Sequence, residues 1–122
     1  MTGVTRTSYA QPDVAPKRVF IRDLQKALRS DDLAWLADHM GYPVRHHGRG
    51  ATIIRNKTDL VRNYATLISD RLRAAILAQN PADLFENWQG MMVGDASHHM
   101  WLRETGTGAD IQYEIVSIND AN

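Results

Sequence analysis

The hydrophobic pattern of this chain changes period once, near Asn80-Pro81, and that change limits the folds open to it. Before it, apolar residues recur at helical spacing: Phe20, Leu24, Ala27 and Leu28, then Leu33, Leu36, Ala37 and Met40, then Leu60, Val61, Tyr64, Leu67 and Ile68. After it, they alternate. Leu84 to Val93, Ser97 to Glu104 and Asp110 to Ile118 read as three longer strands, joined by turns at Gly94-Asp95 and Gly106-Thr107-Gly108. Helices first and strands last, joined by short turns, exclude a repeating βαβ order with its parallel sheet.

Local signals refine the reading. Pro16 suits a first helical turn, and the spacing predicts a helix from about Lys17 to Arg29. Ser30, followed by Asp31 and Asp32, reads as the cap of a second helix, with Gly41 ending it and Pro43 barring its continuation. Tyr42 to His46 and Ala51 to Arg55 read as two short strands around His47-Gly48-Arg49-Gly50. Asn56-Lys57-Thr58-Asp59 is another helix start, and Ser69-Asp70 separates that helix from a shorter one ending at Asn80-Pro81. The expected fold is one α+β domain over residues 16–122, its N-terminal helices packed on a curved antiparallel sheet. Residues 1–15 are expected to form a flexible N-terminal arm.

Composition narrows the function classes. The 122 residues carry 14 Lys+Arg and 14 Asp+Glu, so the net charge is zero, unlike a nucleic-acid-coating protein. The zero is a cancellation. Residues 1–73 hold 13 basic and 7 acidic side chains, whereas 74–122 hold only Arg103 against 7 acids. No cysteine is present, which removes disulfides, thiolate metal sites and cysteine nucleophiles. No apolar run is long enough to span a bilayer, and residues 1–16 lack the hydrophobic segment of a secretory signal. The expectation is a cytoplasmic protein, or alternatively an exported one whose signal has been removed.

Three segments carry a family likeness: Asn87-Trp88-Gln89-Gly90-Met91-Met92-Val93-Gly94-Asp95, Met100-Trp101-Leu102, and Tyr113-Glu114-Ile115-Val116-Ser117-Ile118-Asn119. Together with the order of elements over residues 17–120, they resemble small bacterial members of the nuclear transport factor 2-like (cystatin-like) superfamily. The resemblance implies a cone-shaped domain, a curved sheet around helices, with sheet-to-sheet dimers and a ligand pocket. Its members range from isomerases, cyclases and hydrolases to pure interaction domains and toxin-immunity proteins, so fold alone does not give function. Isomerase-like members carry an acid on the short strands. Here that stretch, Tyr42-Pro43-Val44-Arg45-His46-His47, has none, and the nearest upstream carboxylate is Asp38.

Chemistry-bearing residues are few. His46 or His98 as acid or base, with Tyr42 or Tyr64 donating to a developing oxyanion, would make a catalytic pocket, walled by Trp35 and Trp101. The plainer reading of these residues is core packing and satisfied hydrogen bonds. Adjacent strand residues face opposite ways, so the pairs His46-His47 and His98-His99 give at most one metal ligand each. No metal and no cofactor is implied. Arg45, Arg49 and Arg55 fall in a stretch without acids and are candidates for an anion or an acidic partner, the default being a solvated hairpin.

Association is the remaining reading. Ile111, Tyr113 and Ile115 share one face of the last strand, with Val116 and Ile118 on the other, so both faces of the sheet carry apolar groups. That points to a homodimer through the sheet. A strand twist or a bulge near Gly90 that swaps facing residues is the competing explanation. The leading expectation is a non-catalytic small-molecule-binding or protein-interaction domain, with a bacterial accessory or immunity role among the options. The alternative is a small-molecule isomerase, cyclase or hydrolase using the His–Tyr pocket. Neither nucleic acid nor membrane is an expected partner.

Overall fold

The first helix, α1 (Ala15–Ser30), turns Ile21, Leu24 and Leu28 fully inward, as their spacing requires. Gln25 lies on the same side, and its amide donates to the carbonyls of Ile76 (3.0 Å) and Gln79 (2.8 Å). The computed structural model describes residues 15–48 and 50–120; the proposed arm at 1–15 therefore lies outside it except for Ala15, which opens α1. Ser30 does not cap the second helix. It ends the first, its hydroxyl donating to the Lys26 carbonyl at 2.9 Å. Asp31 then takes a left-handed turn (φ 53°), and the Asp32 amide donates back to the Ala27 carbonyl at 2.8 Å, closing the helix end. Asp32 is the cap of α2 (Leu33–Asp38), accepting from the Trp35 amide at 3.0 Å.

α2 stops at His39, two residues before Gly41. Met40, expected on the helical stripe, is instead the first residue of β1 (Met40–His47). β1 forms a hairpin with β2 (Ala51–Ile54), matching the two predicted short strands. Asn56 caps α3 (Lys57–Leu67) by accepting from the Asp59 amide, and Ser69 caps α4 (Asp70–Leu77) by accepting from the Leu72 amide.

The predicted strand Leu84–Val93 is two strands. β3 (Phe85–Asn87) and β4 (Gly90–Gly94) pair antiparallel around Trp88-Gln89. The Asn87 side chain accepts from the Gln89 amide at 2.8 Å, and Gly90 takes φ +128°, where an added Cβ would lie 2.2 Å from the Leu102 carbonyl oxygen. Asn at the first and Gly at the fourth turn position is the preference of such a turn. β5 (His98–Thr105), a 3-10 turn at Gly108–Asp110 and β6 (Gln112–Asp120) complete the chain.

The result is an α+β domain with one six-stranded sheet in the order β2-β1-β6-β5-β4-β3. The sheet is mixed, not wholly antiparallel, because β1 and β6 run parallel. Short turns force antiparallel pairing only on sequential strands, and these two are far apart in the chain. The helices cover one face, with α4 against β4 and β5 and α1 against α4 and β6. Val44, Ile54, Val93, Met100, Leu102, Ile115 and Ile118 are buried on that face.

A bulge does occur, on β6 opposite Trp101 and Leu102, one strand over from Gly90, which approaches the Leu102 carbonyl from the other side of β5. Leu102 pairs with Ile115 and Trp101 with Ser117, so Val116 is an extra residue on β6. It places Ile118 on the same inward face as Ile115, against the expectation of opposite faces.

Candidate functional site

The six residues proposed for a pocket have separate surroundings. Trp35 stacks on His39 (4.0 Å between ring centres, 17° between planes) and touches Phe20. The Tyr42 hydroxyl donates to the Ala37 carbonyl at 2.8 Å. The Tyr64 hydroxyl donates to Asp31 at 2.7 Å, and Arg73 bridges the same carboxylate (3.1 Å) to Asp70 (2.9 Å). Burial, chiefly, pushes both tyrosine hydroxyls above their usual range, so each keeps the proton it is already donating. His46 is buried with its Nε2 2.9 Å from the Leu67 carbonyl. Trp101 lies on the sheet face away from the helices, edge-on to Phe85 and His99.

His98 has a more unusual setting. Its Nε2 is buried without a hydrogen-bond partner among the described residues, 3.8 Å from Asp120 Oδ1, and its Nδ1 is 3.8 Å from Asp95 Oδ1. Asp120 is buried and accepts from the Ser69 amide (3.1 Å) and hydroxyl (2.6 Å), which locks the last strand to the cap of α4. Asp95 accepts from the amides of Ser97 and His98, and these bonds hold its carboxyl below the usual range. Ser69 donates directly to the acid instead of to the imidazole, so the three do not form a nucleophile–base relay. Among the described residues no group of three or more His, Asp or Glu converges as a metal site.

The basic stretch is partly neutralised by its own ends. Arg55 reaches Asp59 through Nε (2.8 Å), Nη2 (3.2 Å) and its backbone amide (2.9 Å), and this pulls the Asp59 carboxyl down to about 2. Lys57 reaches Asp38 at 2.6 Å. Arg45 is exposed on β1, and Arg49 lies outside the described residues.

Residue pairing across the sheet shows what the outward face carries. One unbroken row runs Phe85, Met92, Trp101, Ser117, Arg45, Ile53 through all six strands. The next row holds Gly94, His99, Asn119, His47 and Ala51. Phe85 is 54% exposed and Ile53 50%; Trp88, at the hairpin tip beside this face, is 91% exposed. Trp88 is thus outside because it sits in a turn, not because of strand alternation. Of the three strand glutamates whose direction matters, Glu86 pairs with Lys17 of α1, on the helix side. Glu104 sits opposite Tyr113, again on the helix side, and Glu114 is paired with Arg103.

Among the clefts that flank the described helices, two have the volume of a small-molecule site and a mixed polar and apolar lining. One, of about 440 Å³, lies between the edge strand β2 and α3 and includes Arg55, Asp59, Asn63 and Thr66. The other, of about 570 Å³, lies between α1 and the start of β6 and includes Phe20, Asp23, His39 and Tyr113. None of Trp35, Tyr42, His46, Tyr64, His98 and Trp101 lines either one. No described helix is long and apolar enough to cross a membrane. Compared with known proteins, the chain matches no family model, no curated protein and no solved structure.

Proposed function

We propose that this chain is a non-catalytic interaction domain of the nuclear transport factor 2-like type that associates, through the outward face of its sheet, with a second copy of itself. The observation that carries the reading is the row Phe85–Met92–Trp101, three neighbouring strands contributing a large apolar group each to a face that no described helix covers. Scattered surface apolar residues are ordinary, whereas a contiguous patch of this kind marks an interaction site.

Charge favours a second copy as the partner. The one strand acid on that face, Glu114, is neutralised within its own chain by Arg103. The acids of the C-terminal half therefore do not line up against themselves when two such faces meet. Strands lie about 4.8 Å apart, so a two-fold axis near β5 brings the aromatic rows together. It also sends Arg45, two strands away, to opposite rims about 10 Å from the axis.

Sedimentation velocity of the wild type and of Trp101→Glu tests this. A species of twice 13.8 kDa at micromolar concentration is expected for the wild type. The variant, with an unchanged circular dichroism spectrum, is expected at 13.8 kDa. A wild type that stays at 13.8 kDa, or a variant that still dimerises, contradicts the reading.

A further inference from the structure

On the helix side, away from the proposed dimer face, the cleft between α1 and β6 has a composition of its own. β1 begins at Met40 opposite Ile115, so Gln112 to Glu114 of β6 have β5 on one side and no described strand on the other. The gap is bordered by α1 and the end of α2. Phe20 and Tyr113 form its floor, with ring centres 5.5 Å apart, and the His39 ring lies 5.8 Å from Phe20. Val19 overhangs it from α1, 53% exposed.

Among the described residues, the carboxylates lining this cleft are Asp23, Asp38 and Glu114, and no Lys or Arg lines it. Asp38 and Glu114 have cationic partners, Lys57 and Arg103, neither of which lines the cleft. Asp23 is exposed and has no ion pair or hydrogen bond among the described residues. An aromatic face presents negative charge density to whatever lies over it, and an unpaired carboxylate beside it adds to that potential. Burial, then the charge of Glu104, pushes the Tyr113 hydroxyl up, so the floor stays neutral.

We infer that this cleft is a binding site for a small organic cation, an alkyl- or aryl-ammonium group resting on Phe20 and Tyr113 with its charge toward Asp23. The volume of about 570 Å³ lies within the range of small-molecule sites. An anion meets three carboxylates there and is rejected. A neutral molecule of the same shape gains the apolar contact but not the electrostatic one. The inference is separable from self-association, because its floor and its unpaired carboxylate come from Phe20 and Asp23 of α1 and the inward-facing Tyr113, and only the paired Glu114 is shared with the outward face.

An NMR titration with benzyltrimethylammonium, its uncharged isostere neopentylbenzene and the phenylacetate anion tests it. Saturable shifts centred on Val19, Phe20, Asp23 and Tyr113 are expected for the cation. The isostere is expected to bind about tenfold more weakly and the anion more weakly still. Asp23→Asn, an exposed and isosteric change, is expected to weaken the cation about fivefold and leave the isostere unaffected. Val19→Lys, which puts an ammonium over the cleft, is expected to abolish cation binding. Equal affinity for cation and isostere overturns the inference. So does an unaltered cation affinity in Asp23→Asn, an absence of saturable shifts at millimolar probe, or shifts confined to the outward face of the sheet.

Discussion

The two faces of this sheet are made by the same strands, yet they are built for different surroundings. Inward, Val44, Val93, Met100, Leu102, Ile115 and Ile118 are all wholly buried under the helices. Outward, their immediate neighbours are Arg45, Met92, His99, Trp101 and Asn119, none of them buried. Strict alternation would give this division only if every strand kept its phase. β6 loses phase, and the extra residue Val116 restores it, keeping Ile118 and Asp120 inside. Along β6, the division between core and outward face therefore rests on one bulge.

Deleting Val116 together with Ser117 is accordingly the change expected to do most harm. Ile118 then follows Ile115 directly and turns outward with Asp120, while Asn119 turns inward. Loss of the cooperative melting transition is the expected outcome, whereas deleting Val116 alone leaves Ile115, Ser117 and Ile118 in regular alternation and is expected to keep it. The reverse pair of results would show that the bulge does not set the division.

Single truncations sharpen the contrast between the faces. Leu102→Ala, on the inward face, is expected to cost about 2–5 kcal/mol of stability by urea denaturation. Trp101→Ser, its neighbour on the other face, is expected to cost well under that and to abolish association. A reversal of the two effects would mean that the faces have been assigned the wrong way round.

Asp120 is the polar exception on the inward side. Asp120→Ala leaves the Ser69 amide and hydroxyl without their acceptor, with an expected cost of about 1–3 kcal/mol. Asp32→Ala, which removes the cap of α2, is expected to cost about 1 kcal/mol. A smaller loss for Asp120→Ala than for Asp32→Ala would contradict the importance given to the link between β6 and α4.

How much of this was legible in the sequence follows from how local each signal is. The change of period gave the α+β order, and Asn56 and Ser69 declared their helices. Ser30 misled because capping residues occur in runs there, and Asp32 offered the better geometry once Asp31 took the left-handed turn. The turn at Trp88-Gln89 was written in Asn87 and Gly90, but the apolar residues on either side, Leu84-Phe85 and Met91-Met92-Val93, with Trp88 between them, read as one strand. The parallel pairing of β1 with β6 has no local signal at all, because it is fixed by where the chain returns after two helices and four further strands. The spacing of Ile115 and Ile118, three apart within a period-two strand, was the visible trace of the bulge.

The proposed pocket residues illustrate the same limit. His46, Tyr42 and Tyr64 each satisfy a backbone carbonyl or a carboxylate, 5 residues away for Tyr42 but 21 and 33 residues away for His46 and Tyr64. Residue type names the chemistry a side chain is capable of, but the partner that occupies it is a property of the fold. Phe85 and Met92 show the converse. Neither stands out as a candidate in the sequence, and only the pairing register sets them beside Trp101.

The smallest expected effect lies at the edge of the sheet, off both faces. The Asp59 carboxyl is held at about 2, mainly by the Arg55 guanidinium and amide. A depressed carboxyl contributes its full stabilisation above the unfolded value of about 4 and loses it as the pH falls toward 2. In Arg55→Gln the melting temperature is therefore expected to fall less steeply over that acid window than in the wild type. Parallel acid limbs would show that the pair contributes nothing to stability.

The central claim, that the outward face is the one that meets a second copy, is tested most directly by hydroxyl-radical footprinting across a dilution series. As concentration rises through the dimerisation range, oxidation of Met92 and Trp101 is predicted to fall, while that of Trp35, on the helix side, stays constant. Constant oxidation of Met92 and Trp101, or protection appearing at Trp35 instead, would contradict the account.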